Sequence, residues 1–290
     1  MKYAYYPGCS LHATGLEYHL STLAVARHLG LELEELPDWN CCGASAAHNT
    51  NRLLALALPA RNLALAEQRG LDMAVPCAAC FNRLRAAVHA VRTSAQVREE
   101  VADLIRMDYQ GRREVYSLLE LIANHVGEER IREKVVRPLT GLKAACYYGC
   151  LLVRPPEITG FDDPEDPQSM DRLLLALGAE AVPWSHKTEC CGAAHSTTRP
   201  DLACHLLNGI YAGARAAGAA CLVVACPLCF LNLDMRQAEV EKRFGTVYRL
   251  PVFYFTELVG FALGSSPGEL GLPKHFVRAE ALLASMDAAR

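Results

Sequence analysis

An offset of 149 residues carries Cys41, Cys42, Cys77 and Cys80 onto Cys190, Cys191, Cys226 and Cys229 without a gap. The 44 residues beginning "CCGASAAH" at Cys41 lie over the 44 beginning "CCGAAHST" at Cys190, and 11 are identical, including the CCGA start and the CxxCF end. Identity at that level says little alone, but the shared cysteine register says that one module occurs twice. The register extends upstream. "YYPGC", ending at Cys9, resembles "CYYGC", ending at Cys150; the offset there is 141, so the second copy holds eight extra residues before its CC pair. "RPPEITGFDDPEDP" (154–167) reads as that insertion and as a surface loop. Each module is then C-x(31 or 39)-C-C-x34-C-x2-C. Whatever the chain folds into must build the same constellation twice.

Between the cysteines, β-rich runs alternate with helical patterns. Residues 2–7 and the "GLKAACYY" run predict strands that end at Gly-Cys turns, followed by helices at 12–29 and 168–177. Short strands at 31–36 and 181–184 lead into the CCG loops, and helices follow at 53–69 and 201–217. "DMAVP" and "CLVVA" predict strands that end at the CxxC pairs, which open further helices. This alternation implies an α/β fold of two pseudo-symmetric repeated modules, each a small parallel sheet flanked by helices. Residues 1–140 form the first module, with connecting helices around 97–127; residues 141–290 form the second, with a C-terminal helical tail from about 256. All five cysteines of a module fall at the carboxyl ends of strands, where open α/β sheets build their sites.

Thirteen cysteines accompany an N-terminus without the apolar stretch of a secretory signal. Cytosolic thiols stay reduced, so metal binding or catalysis is the expected use, and a cytoplasmic protein is expected. A net charge of -3 gives no reason to expect nucleic acid. The 18 uncharged residues 216–233 barely reach spanning length and contain Gly218 and Pro227, so no transmembrane segment is expected. Arginine outnumbers lysine, 23 to 6, a bias that base composition explains without invoking anion binding.

A CxxC loop turns two thiolates towards one metal, as in both zinc and iron–sulfur sites. Zinc takes four ligands, and five cysteines per module is one too many. Adjacent cysteines diverge and suit a multi-iron cluster, in which each sulfur takes a different iron. An ordinary cubane takes four thiolates, so a fifth points to an unusual cluster. Gly8, Gly43, Gly149 and Gly192 would let backbone approach an inorganic core. Helices that start at CxxC point N–H groups at the site and offset thiolate charge.

On these residues the two CCG modules resemble the cysteine-rich domain family, and the ten-cysteine pattern is similar to that of the heterodisulfide reductase B-chain family over nearly the whole sequence. The resemblance implies two non-cubane [4Fe-4S] clusters, facing each other across the module interface. One would be held by Cys9, Cys41, Cys42, Cys77 and Cys80, the other by Cys150, Cys190, Cys191, Cys226 and Cys229. It implies reductive cleavage of a disulfide, or formation of one from thiols, with one electron per cluster and one sulfur captured by each. The substrate would be a small-molecule or carrier-bound disulfide or thiol. No GxGxxG and no ferredoxin-type cysteine run occur, so neither flavin nor nicotinamide is expected in this chain. The resemblance supplies electron-donating partners instead, a ferredoxin-like iron–sulfur subunit, together with a flavin-containing one. Two other readings stand beside it: an electron-transfer subunit of a dehydrogenase complex without disulfide chemistry, and a zinc-stabilised interaction module.

Several residues stand outside the cysteine sets. Cys146 could replace Cys150, but the Gly-Cys match favours Cys150; Cys204 and Cys221 read as small buried hydrophobes. His48 and His195, which follow the CC pairs, are candidates to hand protons to a departing thiolate, against plain packing. His12 and His186 are weaker candidates. Arg83, Arg85 and Arg154 lie near the cluster loops and could hold an anionic substrate, against a solvated helix face.

Overall fold

The computed structural model describes every residue except Ser45, Ala289 and Arg290. Its eight described strands form two four-stranded sheets. The first contains β1 (Lys2–Tyr5), β2 (Glu32–Glu35), β3 (Met73–Val75) and β4 (Val115–Ser117). The second contains β5 (Lys143–Tyr147), β6 (Glu180–Ala181), β7 (Cys221–Val224) and β8 (Val252–Tyr254). The orders are β2-β1-β3-β4 and β6-β5-β7-β8, every pairing parallel, so the two sheets share one topology. The chain leaves β1 for β2 on one side and returns to β3 on the other. The crevice between the carboxyl ends of β1 and β3 is therefore a topological switch point, and that between β5 and β7 is its counterpart. Cys9 and Cys77 follow the first pair of strands, Cys150 and Cys226 the second.

The helices stand where their caps and apolar faces put them. Asn51 accepts the Leu54 N–H at 2.9 Å and starts helix Arg52–Gln68; Gly30, at φ +66°, ends helix Leu16–Leu29. Cys77 and Cys226 are the N-cap residues of helices Ala78–Thr93 and Pro227–Met235. The two halves join where helix Leu16–Leu29 packs on helix Phe255–Ala262. There Tyr254 is stacked between Tyr18 and Phe230, with ring centroids 4.1 Å apart on each side, and Ser21 and Thr256 share a buried 2.7 Å hydroxyl hydrogen bond. Such aromatic pairs contribute about 1 kcal/mol each beyond their buried area.

Three details differ from the sequence expectation. Residues 97–127 are not only linking helices: they contain β4 and a π-helical stretch, Leu121–Gly127. A three-residue strand such as β4 or β8 carries too little periodicity to be seen, and it exists because β3 or β7 offers an edge. β6 stops before Pro183, which has no N–H to give a ladder. The 154–167 insertion lies mostly at the surface, as expected, but carries structure of its own. Its short helix Pro156–Thr159 buries Thr159, and Arg85 donates to the Ile158 and Thr159 carbonyls at 3.1 and 3.0 Å.

Candidate metal centre

Each set of five thiols is gathered by the ends of three parallel strands. In the first, Cys9 lies on the single turn Gly8–Leu11 after β1, Cys41 and Cys42 lie in the loop after β2, and Cys77 and Cys80 open the helix after β3. Cys42 Sγ is 3.2 Å from Cys80 Sγ, Cys41 interacts with Cys9 and Cys42, and Cys80 interacts with Cys77. In the second, Cys191 Sγ is 3.5 Å from Cys229 Sγ, Cys150 interacts with Cys190, and Cys226 interacts with Cys229. Cys150–Cys190, Cys191–Cys229 and Cys226–Cys229 thus repeat Cys9–Cys41, Cys42–Cys80 and Cys77–Cys80. Cys9, Cys41 and Cys190 are exposed, so each set opens to solvent at one edge while its CxxC pair lies deeper.

The two sets also meet. Cys77 and Cys226 lie close enough for their thiols to influence each other's ionisation, and the Ala78 N–H favours the Cys226 thiolate. Cys226 caps its own helix and also feels the first N–H of the helix Ala78–Thr93. Thiol donors from Cys229 and Cys77, together with the Cys229 and Ala78 N–H groups, favour its thiolate and hold its pKa well below the usual thiol value. Cys190 is held down to about 6, chiefly by the Cys150 thiol and also by the Gly192 N–H; Cys42 is held at about 7 by Cys80 and the Ala44 N–H. Their neighbours Cys77, Cys80, Cys150 and Cys229 are pushed up by the same crowding and by burial.

The glycines explain how thiols fit so densely. Gly8 and Gly149 have φ +64° and +70°, and a Cβ on either would lie 3.3 Å from the Cys80 or Cys229 sulfur. Gly43 and Gly192, at φ +74° and +75°, turn the chain out of the CC pairs, and their N–H groups face back to the Cys41 and Cys190 sulfurs at 3.5 and 3.3 Å. Five thiols, inward N–H groups and a cradle that a side chain would fill suit a polynuclear iron–sulfur group. Among the described residues, no three His, Cys, Asp or Glu side chains form a group that could hold a single metal ion.

The remaining candidates fall into place around this. Cys146, inside β5, is fully buried near Asp171 and Cys221, and Cys204 and Cys221 are also fully buried. His195 is exposed, and its charge favours the Cys190 thiolate; His48 lies exposed on the short helix Ala47–Thr50. His12 bonds Glu35 at 2.9 Å and stacks on Trp39, and His186 pairs with Glu189 at 2.8 Å. The arginines are not a solvated face. Arg83 donates to Asn82, Arg85 holds the insertion, and Arg154 bridges Glu165 and Thr188. Sequence reasoning missed Tyr6 and Tyr147, whose hydroxyls donate to the Asn40 and Glu189 carbonyls at 2.8 and 2.6 Å, just ahead of each CC pair. The signal was present, since a tyrosine precedes each Gly-Cys cysteine by three residues.

Two parallel α/β modules, each carrying a CCG loop and a CxxC helix at one switch point, define a cysteine-rich iron–sulfur protein. The chain belongs to the CCG cysteine-rich domain family, whose model matches residues 3–85 and 144–234. It is 37% identical over 288 residues to the 8-methylmenaquinol:fumarate reductase membrane anchor subunit of Wolinella succinogenes, covering 97% of this chain and 99% of that one. It is 30% identical over 287 residues to the B subunit of the ferredoxin/F420H2-dependent CoB-CoM heterodisulfide reductase of Methanosarcina acetivorans, covering 96% and 94%. An Archaeoglobus profundus protein, itself described as similar to the B subunit of heterodisulfide reductase, is 27% identical, with 92% of each chain covered. The fold is shared with a hypothetical protein from Helicobacter pylori, at a TM-score of 0.75 and 16% identity, over 96% of this chain and 52% of that one. This chain thus spans about half the length of that structure. The protein is a CCG subunit of a reductase-like complex, of the heterodisulfide reductase B type. Among the described residues no helix is long and apolar enough to cross a membrane.

Proposed function

We propose that the two five-cysteine sets, Cys9/Cys41/Cys42/Cys77/Cys80 and Cys150/Cys190/Cys191/Cys226/Cys229, each hold a non-cubane [4Fe-4S] cluster, and that the pair serves reductive cleavage of a disulfide. What supports this is that corresponding strand ends gather five thiols twice, with Cys42–Cys80 and Cys191–Cys229 sulfurs 3.2 and 3.5 Å apart and an exposed edge in each set. When bound, the clusters supply the two electrons of the reaction, one each. The overall change is disulfide plus two electrons and two protons to two thiols. The chain's own groups supply the rest. Gly8 and Gly149 leave room for the core, and the Gly43, Gly192 and Ala78 N–H groups offset thiolate charge. His195, beside Cys190, would hold a proton for a departing thiolate, and His48 would do so at the first site. We take residues 1–140 and 141–290 as the two modules. The electron donors would be a ferredoxin-like iron–sulfur subunit, together with a flavin-containing one, in a cytoplasmic complex.

The likeness to the fumarate reductase anchor subunit favours a second reading, an iron–sulfur relay or docking subunit without disulfide chemistry. One experiment separates the two. Iron and acid-labile sulfide are measured after anaerobic purification, and the reduced protein is then offered a panel of disulfides. About eight irons per chain with thiol release supports the first reading. About eight irons and electron transfer to a quinone-linked reductase, without thiol release, supports the second. Zinc in place of iron after reconstitution overturns both.

A further inference from the structure

The chain holds two tryptophans, and each packs on the tyrosine beneath one cysteine set: Trp39 on Tyr6 at 5.7 Å and Trp184 on Tyr147 at 6.3 Å between ring centroids. The tyrosines are almost wholly buried, and each ring edge lies 3.4 Å from where a Cβ on Gly8 or Gly149 would sit. They form the floor under both sets. Each hydroxyl then reaches to the residue before the CC pair and donates to its carbonyl.

We propose that Tyr6 and Tyr147 are positioning residues, hydroxyl clamps that fix the two CC loops and so the directions in which their adjacent thiols enter the sites. The inference rests on the cluster reading above and names residues that set the geometry of the ligands. The directions of adjacent cysteines are fixed only if the peptide before them is held, because a loop with free torsions can swing both sulfurs. The second CC pair is gripped on both sides, with Tyr147 on the Glu189 carbonyl and Asn232 Nδ2 on the Cys191 carbonyl at 2.6 Å. The first is gripped more heavily. The Asn40 carbonyl receives the Tyr6 hydroxyl and also Asn62 Nδ2 at 2.9 Å, while Asn40 Nδ2 donates to the Cys41 carbonyl at 2.9 Å. The two clamps are therefore unequal. Removing the hydroxyl from Tyr147 leaves the Glu189 carbonyl without that donor, whereas Asn62 still holds Asn40 after loss of the Tyr6 hydroxyl.

The test uses the full chain and the variants Tyr147→Phe and Tyr6→Phe. Tyr248→Phe serves as a control that deletes a 2.8 Å hydroxyl bond to Asn208 elsewhere in the fold. Cluster-free protein is treated with iodoacetamide, and alkylation of each cysteine is followed by peptide mass spectrometry. Thermal unfolding is recorded in parallel. After anaerobic reconstitution, iron content and the paramagnetic signal of the reduced protein are compared. In Tyr147→Phe, alkylation of Cys190 and Cys191 is expected to speed up about fivefold, the equivalent of one hydrogen bond of about 1 kcal/mol, with an altered signal from the second site. In Tyr6→Phe the change at Cys41 and Cys42 is expected to be smaller, and Tyr248→Phe is expected to alter neither pair. Equal alkylation and signal in Tyr147→Phe and wild type overturn the clamp, as does a change in Tyr248→Phe as large as that in Tyr147→Phe. A wild type that takes up no iron overturns the cluster reading instead, and leaves the alkylation comparison to decide the clamp.

Discussion

Cys77 and Cys226, each the residue before the first turn of its CxxC helix, face each other across the boundary between the two sheets, close enough for each thiol to influence the ionisation of the other. Helix Ala78–Thr93 begins beside the neighbouring set, where the Ala78 N–H favours the Cys226 thiolate. A thiolate beside a thiol is arranged for disulfide formation. In cluster-free protein, treatment with a small thiol oxidant such as diamide should therefore produce a peptide linking Cys77 to Cys226, with the two electrons passing to the oxidant. Mass spectrometry without reduction detects it. Its absence under conditions that link Cys42 to Cys80, 3.2 Å apart, would show that Cys77 and Cys226 are out of disulfide reach.

Gly8 and Gly149 combine positive φ with a sulfur at 3.3 Å from the place of a Cβ, whereas Gly127, at φ +88°, has nothing within 4 Å. Alanine at any of the three should cost roughly 1–2 kcal/mol of stability through backbone strain. Only Gly8→Ala and Gly149→Ala should also lose iron, because only there does the methyl group press on a ligand. Iron content measured beside thermal unfolding separates the effects, and iron loss in Gly127→Ala at equal instability would sink the distinction.

The repeat made the doubled parallel fold and the ten thiols legible, because a cysteine register survives where other identity fades. The strand ends that carry Cys9, Cys77, Cys150 and Cys226 follow from βαβ alternation alone. What stayed hidden was decided by contacts between distant segments. β4 and β8 exist only as partners of β3 and β7. Arg85 reads as a solvated side chain because nothing local shows that Ile158 and Thr159, 73 and 74 residues on, bring it their carbonyls. The proximity of Cys77 to Cys226 likewise depends on how the two halves pack, through Tyr18, Tyr254 and Phe230, which no spacing encodes.

A buried polar group behind that stack sets a pH dependence. His275 Nε2 and Glu257 Oε1 are 2.8 Å apart with both side chains fully buried, and Asp234 and Glu17 lie close by. For His275, burial lowers the pKa, but the Glu257 carboxylate outweighs it, and the value ends above 6.5. Burial also raises Glu257, Asp234 and Glu17. All four groups bind protons more tightly in the folded chain than in the unfolded one, so their contribution to stability falls as pH rises. For His275 it is fully present below about 6.5 and is lost as pH climbs through the higher folded value. Thermal unfolding of wild type should weaken above that pH more steeply than that of His275→Gln. That variant should itself lose about 3 kcal/mol at pH 6, because it leaves a buried carboxylate without its cation. Parallel pH profiles for the two chains would contradict this assignment.

Asn82, two residues after Cys80, carries the first half's hold on the second half's cysteine loop. Its Nδ2 donates to the Leu151 and Arg154 carbonyls at 3.3 and 2.8 Å, and Arg85 on the same helix donates to Ile158 and Thr159. The eight residues that the second module adds are thus tied down by the helix that presents Cys80, and Cys150 lies at the head of that segment. Asn82→Ala should cost about 1 kcal/mol, as expected when part-buried carbonyls lose a donor. It should also open the 151–167 segment to limited proteolysis several-fold faster than in wild type, ahead of cleavage elsewhere. Asn82→Asp keeps the size and acceptor but removes the donor, and it should behave like alanine, or worse, because a carboxylate then faces two carbonyls. A proteolysis pattern that matches wild type in both variants would mean that the segment is held by its own short helix, and that the two cysteine sets fold without this tie.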